Sequence, residues 1–209
     1  LRKLEVQLRQ TLLLCLKDPD KSNIHKFRVT VKNFRAVLFY LPDGKRRMFR
    51  ENCKFLDSLF KKAGKVRDWD IGITLLRRNA FEGEPVLNFQ KERKKACRQF
   101  LNSAKRSSAE INDRFKHLEF LLNERKSYIT EKRICKCLNR LITQSKDRSD
   151  KKSLHSFRKQ IKRHLSVKNI IPIKNASQSL KVDKKLDKLQ RVIGKIHDVE
   201  MIEKVLKRK

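Results

Sequence analysis

The sequence predicts an almost entirely helical protein. Its 209 residues include only five glycines and four prolines. Apolar residues return every three or four positions along nearly the whole chain, which is the period of an α-helix rather than that of a strand. A chain of this length can bury a substantial core, as one large domain or as two smaller ones. The expected fold class is therefore all-α.

Capping residues, glycine and proline bound the helices of the first half. Ser22 or Asn23 can cap the second helix, and Pro42 stops it. Gly64 is expected to close the third helix as a left-handed C-cap. The expected helices are a first one with Leu4, Leu8 and Leu12 facing inward, a second ending at Leu41, a third over residues 45–63 and a fourth over 68–79.

The remaining chain is also predicted to be helical, with polar interruptions. A loop is expected over residues 81–85, followed by a long helical pattern over 86–125 that Ser107 and Ser108 break. A polar link over 145–152 precedes a second basic helix. The counterpart of the first helix carries an inward face of Ile134, Leu138 and Ile142.

One basic pattern occurs twice, 130 positions apart. Its two copies are Ile24-His25-Lys26-Phe27-Arg28 with Lys32 and Pro42, and Leu154-His155-Ser156-Phe157-Arg158 with Lys162 and Pro172. The same step joins Leu56, Asp57, Leu59, Gly64, Lys65 and Asp68 to Leu186, Asp187, Leu189, Gly194, Lys195 and Asp198. We therefore expect one domain over residues 1–209, built of two repeats of about 1–108 and 109–209.

Positive charge dominates the composition. Lys and Arg number 55 against 23 Asp and Glu, so the formal net charge is +32. Self-repulsion at this charge favours a polyanionic partner, which can be nucleic acid, an anionic membrane surface or a phosphate polymer.

The longest apolar stretch, residues 36–41, is too short to span a bilayer, and no signal-peptide pattern opens the chain. We expect a cytoplasmic protein without membrane insertion.

The cysteines give no reason to expect a metal or a cofactor. The five cysteines are scattered and contain no CxxC pair, so they fit neither a disulfide framework nor a zinc site. We interpret them as reduced and mostly buried. Leu1 stands where an initiator methionine would, which is compatible with a trimmed chain that has lost a neighbouring domain.

The second helix places its cations along one stripe. At 100° per residue, His25, Arg28, Lys32 and Arg35 share an arc of about 80°, opposite an apolar face. His155, Arg158 and Lys162 repeat the stripe. An ordinary solvated face mixes both signs of charge, yet residues 24–41 and 151–182 contain no Asp or Glu. The pattern favours a bound anion, which would hold the histidines protonated and make binding modestly pH-dependent.

At these residues the chain resembles the CHAD family, the conserved histidine α-helical domain. The family signature is a duplicated His-x-x-Arg-x-x-x-Lys-x-x-Arg helix followed by a Gly-x-x-Arg-Asp element. The first helix signature is complete, and Gly64-Lys65-Val66-Arg67-Asp68-Trp69-Asp70 fills the second element. The resemblance implies two helical bundles related by a pseudo-twofold axis around a basic central channel. It also implies non-catalytic binding of inorganic polyphosphate, which makes polyphosphate granules a candidate cellular address.

The resemblance assigns the expected site residue by residue. The second copy departs from the signature at Leu165, where the last Arg is expected, and at His197. Arg163 or Lys159 is the candidate for compensation. Asp68 and Asp198 are expected to cap a helix or to orient a cation. The expected polyphosphate-binding residues are His25, Arg28, Lys32, Arg35, Arg67, His155, Arg158, Lys162 and Arg163.

Four other functions fit the sequence less well. The Glu-x-Glu-x-Lys motif of a fused triphosphate hydrolase is incomplete at residues 82–86, and a metal-binding pair at His197 and Asp198 lacks further ligands. Nucleic acid is the main alternative, because charge alone ensures non-specific binding at low salt. Stacking on bases requires exposed rings, however, and the candidates are Trp69, Tyr40 and Tyr128. A membrane-surface role fits less well, since the core needs the apolar helix faces.

Overall fold

The described part of the chain is almost entirely helical, as the sequence predicts. A computed structural model describes residues 2–41, 43–80, 82–106, 113, 116, 131–144, 151–170 and 183–194, and no strand occurs among them. The helices are α1 (Arg2–Lys17), α2 (Lys21–Phe39), α3 (Asp43–Asn52), α4 (Lys54–Arg78), α5 (Glu84–Arg106), α6 (Glu131–Gln144), α7 (Lys151–Ile170) and α8 (residues 183–194). None of the described helices is long and apolar enough to cross a membrane.

The chain divides into two compact units, Leu1–Lys126 and Ser127–Lys209. The repeat boundary expected near residue 108 lies outside the described residues. In the first unit α1 packs on α2, α2 on α4, and α4 on α5. The rings of Phe27 in α2 and Phe100 in α5 lie 5.9 Å apart between centroids. The predicted inward residues of α1, Leu4, Leu8 and Leu12, are all buried. The apolar face predicted opposite the cationic stripe is buried too, and it consists of Phe27, Val31, Phe34 and Leu38 of α2 and Leu41 just beyond its end.

The second unit has its own apolar core. Ile134 of α6 is buried as predicted, whereas the side chains of Leu138 and Ile142 lie outside the described part of the structure. Between α7 and α8, Leu165 packs against a cluster of Phe157, Ile161, Leu186 and Ile193. The basic helix of each unit therefore turns its apolar side inward.

The ends of α2 differ from the sequence-based prediction. Its N-cap is Asp20 rather than Ser22 or Asn23: the backbone at Asp20 is extended and its carboxylate accepts the N–H of Asn23. The helix ends at Phe39, two residues before the predicted Leu41. Pro42 lies outside the described residues.

Some predicted interruptions also change. Helix α5 begins at Glu84, inside the predicted loop, because Pro85 can occupy a first helical turn without losing a needed donor. The break expected at Ser107 and Ser108 lies outside the described residues. Residues 145–150, which form most of the predicted polar link, also lie outside the described residues. Helix α7 begins at Lys151, inside the predicted link.

The prediction that Gly64 ends a helix is wrong. A single helix, α4, runs from Lys54 to Arg78 and passes through Gly64, so the predicted pair of helices over 45–63 and 68–79 does not exist. The interruption lies earlier, at Cys53 between α3 and α4. Gly64 is buried inside α4. Its role must therefore lie in packing rather than in capping.

Candidate anion-binding sites

Helices α2 and α4 bring the predicted cations of the first unit together. The pKa of His25 is lowered, first by partial burial and then by the nearby charges of Arg67, Lys32 and Arg28. Cations of two helices, α2 and α4, therefore lower the pKa of the same histidine. The lowered pKa favours neutral His25 in the free protein, and an anion at this point would favour the protonated form.

Arg28 is anchored on α4. Its Nη1 donates to the backbone carbonyl of Phe60 over 2.9 Å, and its guanidinium lies 4.4 Å from the centroid of the Phe60 ring. Burial lowers the pKa of Arg28, as do Arg67 and Arg35, while Asp68 acts in the opposite direction. A guanidinium carries five N–H donors, so one bond to a carbonyl fixes its place without exhausting its donors.

Asp68 lies in the interior of α4 and does not cap a helix, which corrects one of the two expected roles. The remaining role, orientation of a neighbouring cation, fits its electrostatic action on Arg28. Its predicted counterpart, Asp198, lies outside the described residues, as does His197.

Arg35 shares the same support as Arg28. Its guanidinium lies 4.3 Å from the centroid of the Phe60 ring, and its Nη2 donates to Asp57 Oδ1. Phe60 is therefore flanked by two guanidinium groups, a cation–π arrangement. Sequence reasoning gave Phe60 no role, and Asp57 was noted only because Asp187 lies one repeat step away.

Gly64 makes room for Arg28. A Cβ atom at Gly64 would lie 2.6 Å from Arg28 Nη1, closer than the two atoms can approach. The residue is thus small because a guanidinium of the neighbouring helix occupies the space of its side chain. Glycine inside a helix destabilises it by about 0.5–1 kcal/mol relative to alanine, and the contact with Arg28 explains its presence.

The second unit repeats this arrangement. Arg158 of α7 donates from Nε to the carbonyl of Gln190 over 3.3 Å. A Cβ atom at Gly194 would lie 2.8 Å from Arg158 Nη2. The arginine, the carbonyl residue and the glycine stand 130 positions after Arg28, Phe60 and Gly64. Each unit thus holds one arginine between a backbone carbonyl and a helical glycine.

The other predicted residues of the second unit lie along α7. His155 is partly buried near the start of the helix, whereas Lys162 and Arg163 are exposed.

Within the described ranges, no group of three or more His, Cys, Asp or Glu residues is placed to hold a metal ion. Cys15, Cys53 and Cys97 are buried, and burial is the main cause that raises the pKa of the Cys15 thiol to about 12.

Gly64→Ala tests the packing of Arg28 without any ligand. In an Arg28→Ala background the alanine should raise the free energy of unfolding by about 0.5–1 kcal/mol, the ordinary helix preference. In the wild-type background this gain should be lost, because the new methyl group expels Arg28 from Phe60. Denaturant titration of the four chains measures the coupling.

Gly44→Ala is the matched control, since a Cβ atom at Gly44 in α3 would have no neighbour within 4 Å. Its effect should be the same with and without Arg28. If Gly64→Ala also behaved identically in both backgrounds, the glycine would not be there to admit the arginine.

The fold and these clusters define a helical protein with an anchored arginine in each of two units. The chain belongs to the CHAD domain family, whose model matches residues 1–207. Comparison with curated proteins and with solved structures gives no match.

Proposed function

We propose that this protein binds inorganic polyphosphate and does not act on it chemically. The observation that carries the proposal is the duplicated anchoring of Arg28 and Arg158, each set against a backbone carbonyl and a helical glycine. An anchored guanidinium loses little conformational entropy on binding, and its planar fork matches phosphate oxygens. Membership of the CHAD family supports the same ligand.

The electrostatics of the first unit favour a polyanion. Burial lowers the pKa of Arg28 and of His25. Arg67 and Arg35 add to the effect on Arg28, and Arg67, Lys32 and Arg28 add to the effect on His25. The neighbouring cations therefore raise the cost of charging His25 and Arg28. A chain of phosphates that passes this cluster relieves the repulsion, which is a gain that a neutral ligand does not offer.

The proposed ligand contacts extend to both repeats. Arginines and histidines would contact phosphate oxygens, and the lysines would neutralise charge further along the polymer. The pseudo-twofold relation of two repeats around a shared basic channel, and an association with cytoplasmic polyphosphate granules, belong to the proposal through the family resemblance. The proposed contacts are His25, Arg28, Lys32, Arg35, Arg67, His155, Arg158, Lys162 and Arg163.

Nucleic acid is the second candidate, because the net charge of +32 favours any polyanion. The candidate stacking rings give it little support. Tyr40 is buried, and Trp69 packs edge-on against Phe89 with centroids 5.0 Å apart. Phe39 is 41% exposed, but Arg46 lies over its ring at 5.4 Å. Tyr128 lies outside the described residues.

A competition experiment distinguishes the two ligands. Labelled single-stranded DNA bound to the protein is displaced by long-chain polyphosphate or by unlabelled DNA, matched in phosphate concentration, at physiological ionic strength. Polyphosphate should displace the label at a much lower concentration and should raise the melting temperature, since a ligand of the folded state stabilises it. Gel analysis should show that the polymer keeps its length. Equal competition, or shortening of the polymer, would contradict the proposal.

A further inference from the structure

The second unit lacks the arginine that completes the first cluster. Leu165 stands 130 positions after Arg35, and it packs against the apolar core between α7 and α8. The basic helix of the second unit therefore contributes leucine at the position where α2 contributes a guanidinium. If both units bind phosphate, another cation has to take this place.

The carboxylate that holds Arg35 has a counterpart with a different partner. Asp57 accepts a hydrogen bond from Arg35 in the first unit. Asp187, one repeat step later, accepts from Arg191 Nη2 at its Oδ2 atom, one turn further along α8. Its Oδ1 atom accepts from Gln190 Nε2 over 3.0 Å. The equivalent carboxylate thus orients an arginine in both units, but the arginine comes from a different helix.

Arg191 is joined to Arg158 through Gln190. The Gln190 carbonyl accepts from Arg158, and its side chain donates to the carboxylate that holds Arg191. On an ideal helix residues 187, 190, 191 and 194 share an arc of about 100°. Arg191 therefore lies on the side of α8 that also carries Gly194, where the Arg158 guanidinium is received.

We propose that Arg191 is the second phosphate-binding arginine of this unit and takes the place of Arg35. The inference rests on the polyphosphate-binding function proposed above. The Arg191 side chain is 72% exposed, against 36% for Arg35, so its remaining donors are open to a ligand. Arg163, one of the two candidates from the sequence, stands about 140° around α7 from Arg158. Lys61, which precedes Arg191 by the repeat step, preserves a cation at the equivalent position.

The test compares single alanine variants in polyphosphate titrations at fixed ionic strength. Arg191→Ala and Arg35→Ala should each weaken binding by about tenfold, the usual effect of losing a hydrogen bond to a charged group. Lys185→Ala removes the same charge from an exposed position of α8 and should change affinity less than about twofold. Thermal melts check that the variants fold, which the exposure of Arg191 leads us to expect.

The possible outcomes have distinct meanings. A loss for Arg191→Ala that clearly exceeds the loss for Lys185→Ala supports the inference. Equal small losses for these two variants, or a larger loss for Arg163→Ala than for Arg191→Ala, would overturn the inference alone. A wild-type chain that does not bind polyphosphate would overturn the proposed function, and this inference with it.

Discussion

Replacing Arg28 and Arg158 together with alanine is expected to weaken polyphosphate binding roughly hundredfold or more. Each substitution removes a charge-assisted contact of about 1.5–3 kcal/mol, and two such losses at the lower value already amount to a factor of this size. The loss should be large because both side chains are held in place before the ligand arrives. Arg28 is fixed by the Phe60 carbonyl and Arg158 by that of Gln190.

Titrations over a range of salt concentrations measure this effect and its origin. Because two phosphate contacts vanish, the dependence of affinity on salt should also become shallower. The control is Lys91→Ala with Lys185→Ala, which removes one exposed charge from each unit. If the control lost as much affinity as the arginine variant, net charge rather than the anchored guanidinium groups would explain binding.

Arg28 is also part of the packing between α2 and α4, so loss of binding has to be separated from loss of structure. Arg28→Lys with Arg158→Lys keeps both charges but removes the planar forks and their bonds to the carbonyls. We expect intermediate affinity from this variant, because lysine supplies a point charge without bidentate geometry. Melting temperatures of both double variants, measured without ligand, report the structural part of the effect.

The sequence predicts the two faces of α2 well, and the reason is local. The buried Phe27, Val31 and Phe34 recur with the helical period, and the cations occupy the opposite arc. The helical period is visible within a short stretch of sequence, so the two faces can be predicted without knowledge of the rest of the chain. The proximity of His25 in α2 to Arg67 in α4 involves two helices, and the sequence indicates it only through the family motif.

Gly64 shows why other features escape prediction. Glycine is typical of helix ends, but it also occurs where another group approaches the backbone closely. The sequence does not distinguish these two uses, because the deciding neighbour, Arg28, lies 36 positions away on another helix. The exchange of Arg35 for Arg191 as the partner of the equivalent carboxylate is hidden for a related reason. Arg191 and Asp187 are only four residues apart on one helix, but the contact that gives this pair its meaning, Arg35 with Asp57, joins two helices. The contacts of Arg28 with Gly64 and of Arg35 with Asp57 are set by helix packing rather than by local spacing.

Asp70→Ala is expected to lower the free energy of unfolding by about 2–3 kcal/mol, the largest effect on stability among these variants. Asp70 follows the Gly-x-x-Arg-Asp element by two residues, is only 5% exposed and accepts from Arg93 Nε over 2.6 Å. Arg93 also donates from Nη2 to the carbonyl of Pro19 over 3.1 Å. Asp70 of α4 therefore holds Arg93 of α5, and Arg93 in turn binds the residue before the N-cap of α2. Loss of the carboxylate leaves Arg93, 24% exposed, without this charge partner.

Denaturant titration checks this cost, with Glu51→Ala as the control. Glu51 pairs with Arg47 over 3.4 Å, but both side chains are mostly exposed, so its loss should change stability by less than about 0.5 kcal/mol. Asp70→Ala with Arg93→Ala should cost less than the sum of the single variants, because an isolated, partly buried charge causes most of the damage. Equal costs for Asp70→Ala and Glu51→Ala would show that the buried pair does not hold the start of α2. In that outcome polyphosphate affinity should be unchanged in Asp70→Ala. If the pair does hold Pro19 and the start of α2, its loss should reduce the affinity through His25, which lies near the start of this helix.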